Sequence, residues 1–91
     1  MSPRLERVPL ADGSFIEGSI EVIRPDHWRP HGVRYRLAWI QNNECRALFD
    51  NHHGKTDHFH VDGKEHSYTF VSVAQLKQDF AAEVRKLGGL L

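Results

Sequence analysis

Five of the chain's seven histidines and four of its acidic residues fall between Asp50 and His66, in the run Asp-Asn-His-His-Gly-Lys-Thr-Asp-His-Phe-His-Val-Asp-Gly-Lys-Glu-His. Successive side chains of an extended segment point to opposite faces, so His58 and His60 share one side and Phe59 and Val61 the other. Imidazole is the side chain whose ordinary pKa lies nearest neutrality, and two on one face can serve as an acid and base pair or bind a metal. Cleavage of RNA beside a 2′-hydroxyl requires a base, an acid and positive charge at the phosphate. His58, His60 and Lys55 supply those three. Asp57 can orient an imidazole from the loop side, and Asp50 can do so from a neighbouring strand if the strands run as a simple meander. These five residues form the candidate catalytic set.

Plainer readings compete with it. The two imidazoles fit a solvated strand face, and Asp50-Asn51 fits a turn that hydrogen-bonds its own backbone. His52 and His53 read as solvated loop residues, and His66 and Tyr68 as residues at the core edge. A metal site built from His58, His60 and a carboxylate, Asp50 or Asp57, is the minority alternative. Zinc accepts such nitrogen and oxygen donors, but the stronger Cys-x-x-Cys and His-Glu-x-x-His signatures are missing. No cofactor is expected.

Twelve basic residues balance twelve acidic ones, which excludes the general attraction of a strongly basic nucleic-acid binder and turns attention to local charge. From Arg24 to Arg36 there are four arginines and one acid, Asp26, with His27, Trp28, His31 and Tyr35 interleaved. Arginine with exposed aromatic rings suits phosphates and unstacked bases. Arg29, Arg34, Arg36 and Tyr35, joined by Trp39 and Arg46 from the strands that follow, are the candidate RNA-binding set. The opposing reading buries Tyr35 and leaves the arginines solvated.

The elements that must position these groups are legible from spacing. A chain of 91 residues makes one small domain, 1–91. Asp12-Gly13 between apolar segments marks a hairpin joining Leu5–Leu10 to Phe15–Ile23, with Gly18 suggesting a bulge or bend. Pro25, Pro30 and Gly32 make residues 24–32 an exposed loop. Val33, Tyr35, Leu37 and Trp39 alternate along a third strand, and Asn42-Asn43 turns it into a fourth, Glu44–Asp50. A two-residue turn there sets Trp39 opposite Arg46 and Leu37 opposite Leu48. Residues 51–56 form a second exposed loop, and Asp62-Gly63 closes a last hairpin that returns through Tyr68 and Phe70. Ser72 and Gln75 make a capping box for a helix over Val73–Leu87, whose apolar stripe runs through Leu76, Phe80 and Val84. The expected fold is α+β, an antiparallel meander of five to six strands with one C-terminal helix packed on one face. The single cysteine, Cys45, cannot form an internal disulfide, and no apolar run approaches the ~20 residues that cross a bilayer. A cytoplasmic protein without membrane contact is expected.

Six motifs are spaced along the chain: Leu10-Ala-Asp-Gly-Ser-Phe15, Tyr35-Arg-Leu-Ala-Trp39, Asp50-Asn51 with Gly54-Lys55, Asp57-His58 with His60, Tyr68-Thr-Phe70, and the helix opening Ser72-Val73 through Asp79-Phe80. In these the chain resembles the TumE-like family, small proteins encoded as the toxin half of toxin–antitoxin pairs in bacteria and archaea. Thr56 stands where the family's Gly-Lys-Gly-Asp-His pattern has a glycine, and Phe59 where it has a polar residue. The resemblance implies a growth-inhibiting protein held by a cognate antitoxin. Three mechanisms remain open at this point: metal-independent cleavage of RNA, inhibition by occupying a target through an open sheet face bearing Tyr35, Trp39 and Arg46, and a small metal site.

Overall fold

The computed structural model describes residues 6–52 and 56–91. Two of the chain reversals are dictated by residues that accept left-handed backbone angles. Asn42 and Asn43 lie at φ 53° and 63°, and Asp62 and Gly63 at φ 49° and 83°. Each pair closes a hairpin, β3 (Val33–Gln41) into β4 (Glu44–Asp50) and β5 (His58–Val61) into β6 (Lys64–Ser67). The first hairpin, β1 (Glu6–Pro9) into β2 (Phe15–Val22), is wider than a tight Asp-Gly turn. Its loop is closed by the Leu10 N–H donating to the Ser14 carbonyl at 2.8 Å. The six strands form one antiparallel sheet in the order β1-β2-β3-β4-β5-β6, and helix α1 (Val73–Lys86) covers one face, as the sequence predicts.

Three details differ from the expectation. Gly18 makes no bulge, because β2 and β3 stay in register from Phe15 against Ile40 to Val22 against Val33. A Cβ at Gly18 would stand 2.7 Å from Leu37 Cδ2, so glycine serves close packing there. The irregularity lies in β4 instead. Trp39 pairs with Ala47 and Ile40 with Cys45, which leaves Arg46 as the extra residue of a β-bulge. Leu37 therefore faces Phe49, and Leu48 moves to the other side opposite Ala38. β6 stops at Ser67, before Tyr68 and Phe70. At the helix start Ser72 Oγ accepts from the Gln75 N–H at 3.1 Å, but the Gln75 side chain donates forward to Asp79 at 2.8 Å rather than back to the cap.

The helix-side face of the sheet carries the core: Val33, Tyr35, Leu37 and Trp39 from β3, Ala47 and Phe49 from β4, beneath Leu76, Phe80 and Val84. Phe49 lies at its centre, stacked on Phe59 at 4.7 Å and edge-on to Tyr68 and Phe80 at 5.3 and 5.8 Å. Trp39 is wholly buried and donates its Nε1–H to Ser14 Oγ at 3.0 Å, as a buried indole needs. After the helix the chain returns over this ring, and a Cβ at Gly89 would meet Trp39 Cζ2 at 3.1 Å and collide with Val84 Cγ1. Tyr35 and Trp39 thus belong to the core and present no ring to a partner, a correction to the open aromatic face. Among the described residues no helix is long and apolar enough to cross a membrane.

Phe80 sits at the middle of the buried helical stripe. Phe80→Ala should cost ~3–5 kcal/mol, as aromatic truncation in a packed core does. Thermal unfolding checks this, and a variant melting within a degree or two of the parent contradicts the placement.

Candidate functional site

The face away from the helix is built by the same pleat that builds the core. Asp50 pairs with His58 across β4 and β5, Leu48 with His60, and β6 sets Ser67 and Glu65 opposite these two histidines. His58 Nδ1 lies 2.8 Å from the Thr56 carbonyl, which can only accept, so that nitrogen carries the hydrogen. His58 Nε2 lies 2.8 Å from Asp50 Oδ1. Asp50 is 5% exposed, and its Oδ1 receives no aligned hydrogen bond, so this approach is a charge contact rather than a directed bond. A buried carboxylate calls for a nearby positive charge. His58 provides one when both ring nitrogens are protonated. The exposed His52 stands 3.6 Å from the other carboxylate oxygen.

His60 is the more accessible imidazole, its side chain 35% exposed and its ring 5.1 Å from that of His58. Its Nε2 lies 3.5 Å from Glu65 Oε1, and His58 Nε2 lies 4.0 Å from the same oxygen. His58, His60 and Glu65 offer ligand atoms within 4.8 Å of one another and could hold a metal ion. The carboxylate that meets both imidazoles is Glu65, whereas Asp50 meets His58 and Asp57 meets His31.

Asp57 organises a second polar cluster. Its Oδ2 lies 2.8 Å from His31 Nε2, while His31 Nδ1 accepts from the Val33 N–H at 3.1 Å, which fixes the ring hydrogen on Nε2. Asp57 Oδ1 accepts from Asn51 Nδ2 at 3.0 Å. Asn51, fully buried, also donates to the Val33 carbonyl at 2.8 Å and accepts from the Tyr35 N–H at 3.0 Å. Of the loop expected at 51–56, Asn51 is therefore buried, while His52 and Thr56 are exposed. Asn51 replaces strand pairing for β3 where β4 has ended, and Phe70 stacks on His31 at 4.1 Å to close the cluster. Burial, and after it the Asp57 charge, pushes the Tyr35 phenol well above its ordinary pKa. Tyr68 is shifted the same way, first by burial and then by its hydrogen bond to Asp79 at 2.6 Å.

The proposed RNA-binding arginines divide. Arg29 is buried and chelates Asp26, with Nη2 and Nε 2.6 and 3.1 Å from Oδ2. The loop at 24–32 is thus anchored inside rather than wholly exposed. Arg34 is ion-paired to Glu21, and Arg46 is held by Asp62 at 3.0 Å and Gln41 at 2.6 Å with its guanidinium 5.4 Å over the Trp39 ring. Arg36 is half-buried on the open face, opposite Asp50 in register and outside any ion pair among the described residues. Lys55 and His53 lie outside the described residues. Beside His58 opens a depression of about 490 Å³ whose walls include Trp28, Thr56, Glu65 and Ser67.

Glu65, His31 and Asn51 are absent from the set expected from sequence. Glu65 was readable, because a two-residue turn at Asp62-Gly63 places it opposite His60. His31 and Asn51 gave only a loop signal and a turn signal.

Asn51→Ala strands the buried Tyr35 N–H, and such a loss costs about 1–3 kcal/mol. Urea unfolding should show a lower midpoint, and an unchanged one refutes the linking role of Asn51. The hydrogen bond from Arg29 holds the Asp26 carboxyl below its ordinary range. Its contribution to stability is present above an unfolded pKa of about 3.9 and is lost as pH falls through the folded value. The stability gap between the parent and Asp26→Asn should therefore shrink on acidification, and a gap independent of pH refutes the linkage.

The model of one protein family, Toxin TumE, matches residues 4–87. No curated protein and no solved structure matches the chain. The family match takes in every strand, the paired histidines on the open face and the covering helix, and the chain belongs to the TumE toxin family.

Proposed function

We propose that this toxin inhibits growth by cleaving RNA without a metal, using His58 and His60 as the acid and base. The observation that carries the reading is the pair of imidazoles 5.1 Å apart on the uncovered face, each with its own carboxylate. His60, the accessible ring, removes the proton from a 2′-hydroxyl, and the nearby Glu65 stabilises the imidazolium that forms. The 2′-oxygen attacks phosphorus, the bond to the 5′-oxygen breaks, and His58 delivers a proton to that leaving oxygen. The products are a 2′,3′-cyclic phosphate and a 5′-hydroxyl. Asp50 lies against the Nε2 of His58, and Arg36 and Lys55 are the cations assigned to the phosphate. Asp57 is engaged with His31 and takes no part in orienting these two rings.

Membership of a toxin family implies an antitoxin partner. A second reading is favoured by the convergence of His58, His60 and Glu65, which would suit a zinc-class ion. Chelation separates the two: cleavage that survives EDTA supports the acid–base pair, and cleavage that EDTA abolishes and zinc restores supports the metal.

His60→Ala should lower cleavage of an RNA oligonucleotide by about 10²–10⁴-fold while leaving the melting temperature near that of the parent. His58 is buried, so His58→Ala also strands Asp50; His58→Ala with Asp50→Asn removes that complication and should be equally inactive. A 2′-deoxy residue at the cleaved position should block the reaction. Undiminished growth arrest with intact cellular transcripts would eliminate the nuclease reading, and full activity of both variants would eliminate the site.

A further inference from the structure

We propose that the depression beside His58 receives one unstacked nucleobase against the indole of Trp28, which makes the substrate single-stranded RNA. This rests on the RNA reading above and names the substrate class for it. His58, the proposed general acid, is one of the residues lining the cavity, so a nucleotide bound there lies next to the bond being broken. Its volume of about 490 Å³ falls within the range of ligand clefts, ~300–1,000 Å³.

Trp28 is placed as a platform would be. The chain has two tryptophans, and only Trp39 is in the core. Trp28 is half-buried in the loop before β3, a setting that core packing does not require of so large a ring. Its backbone N–H donates to Asp26 Oδ1 at 3.1 Å, and Asp26 is in turn fixed by the buried Arg29. The His27 ring and the indole stand nearly at right angles with centroids 5.5 Å apart. The pair of Asp26 with the buried Arg29 thus fixes the backbone from which the indole projects. The lining also includes Ser67, Thr56 and Glu65, donors and acceptors that suit the polar edge of a base. A base in a duplex is stacked on both faces and paired along that edge, so it cannot enter without being flipped out, whereas a single-stranded base can.

Intrinsic fluorescence tests this directly, because the buried Trp39 is shielded and Trp28 is the responsive emitter. The parent protein would be titrated with a 2′-O-methyl oligonucleotide, which cannot be cleaved by 2′-hydroxyl attack, and with the same sequence annealed to its complement. The single strand should quench the emission and the duplex should not, and Trp28→Phe should bind the single strand with no quenching. Trp28→Ala, shown to be folded by its melting curve, should weaken single-strand binding by about tenfold or more, and Trp28→Phe should keep most of it. Single-strand binding that leaves emission unchanged, or equal affinity in Trp28→Ala, overturns the base subsite even if ordinary RNA is still cut at His58 and His60. Quenching without cleavage of ordinary RNA keeps the subsite and overturns the nuclease reading instead.

Discussion

Phe49 and Asp50 are consecutive, both nearly inaccessible, and on opposite faces of the sheet, and the layout of the molecule follows from that pair. The pleat allows no other arrangement of neighbours in a strand. Phe49 gathers Phe59, Tyr68 and Phe80 on the helix side, while Asp50 gathers His58 and His52 on the other. Which of them faces the helix is decided upstream, by the extra residue at Arg46. Without the bulge β4 would slip by one position against β3, and a slip of one exchanges the two faces. Leu48 would then enter the core and Phe49 would be turned out. The core and the candidate site are therefore selected together by one backbone irregularity.

That dependence explains what the sequence revealed. The turns at Asn42-Asn43 and Asp62-Gly63, the helical stripe of Leu76, Phe80 and Val84 and the sharing of a face by His58 and His60 are local patterns, each written within a few residues. The bulge at Arg46 is not local. Both registers set apolar residues against Leu37, Leu48 in one and Phe49 in the other, and only packing against the helix distinguishes them. Tyr35 and Trp39 were ambiguous for a related reason, since aromatic residues alternating with arginine suit a buried face and a binding face equally well.

Asp57 shows how a correct residue acquires a different role. Its proximity in sequence to His58 suggests that it steers that ring, yet it lies in the bend before β5 and meets His31 from a loop 26 positions earlier. The ring of His31 has one nitrogen accepting and one donating, so it behaves as a fixed connector with no lone pair left for chemistry. With Asn51 it ties the loop before β3 to the start of β5. This polar cluster does for the end of the sheet what apolar burial does for its middle. Each group in it is costly to leave alone, so removing one unsettles the others.

The uncovered face also has to avoid being a hydrophobic patch. Ala38 is wholly buried there, and Phe15, Ile40 and Leu48 are half-buried, although no helix covers them. Long charged side chains provide the roof: Arg7 lies 4.4 Å over the Phe15 ring and reaches Glu17 at 2.5 Å, and Arg34 is paired with Glu21. Their methylene stems shield apolar surface while their heads stay in water. Across β1 to β3 that roof is guanidinium and carboxylate, which do not exchange protons near neutrality. From β4 to β6 it is imidazole and carboxylate. The roof changes its chemistry at Asp50, from arginine–carboxylate pairs over the first strands to the histidine–carboxylate pairs on which the proposed reaction rests.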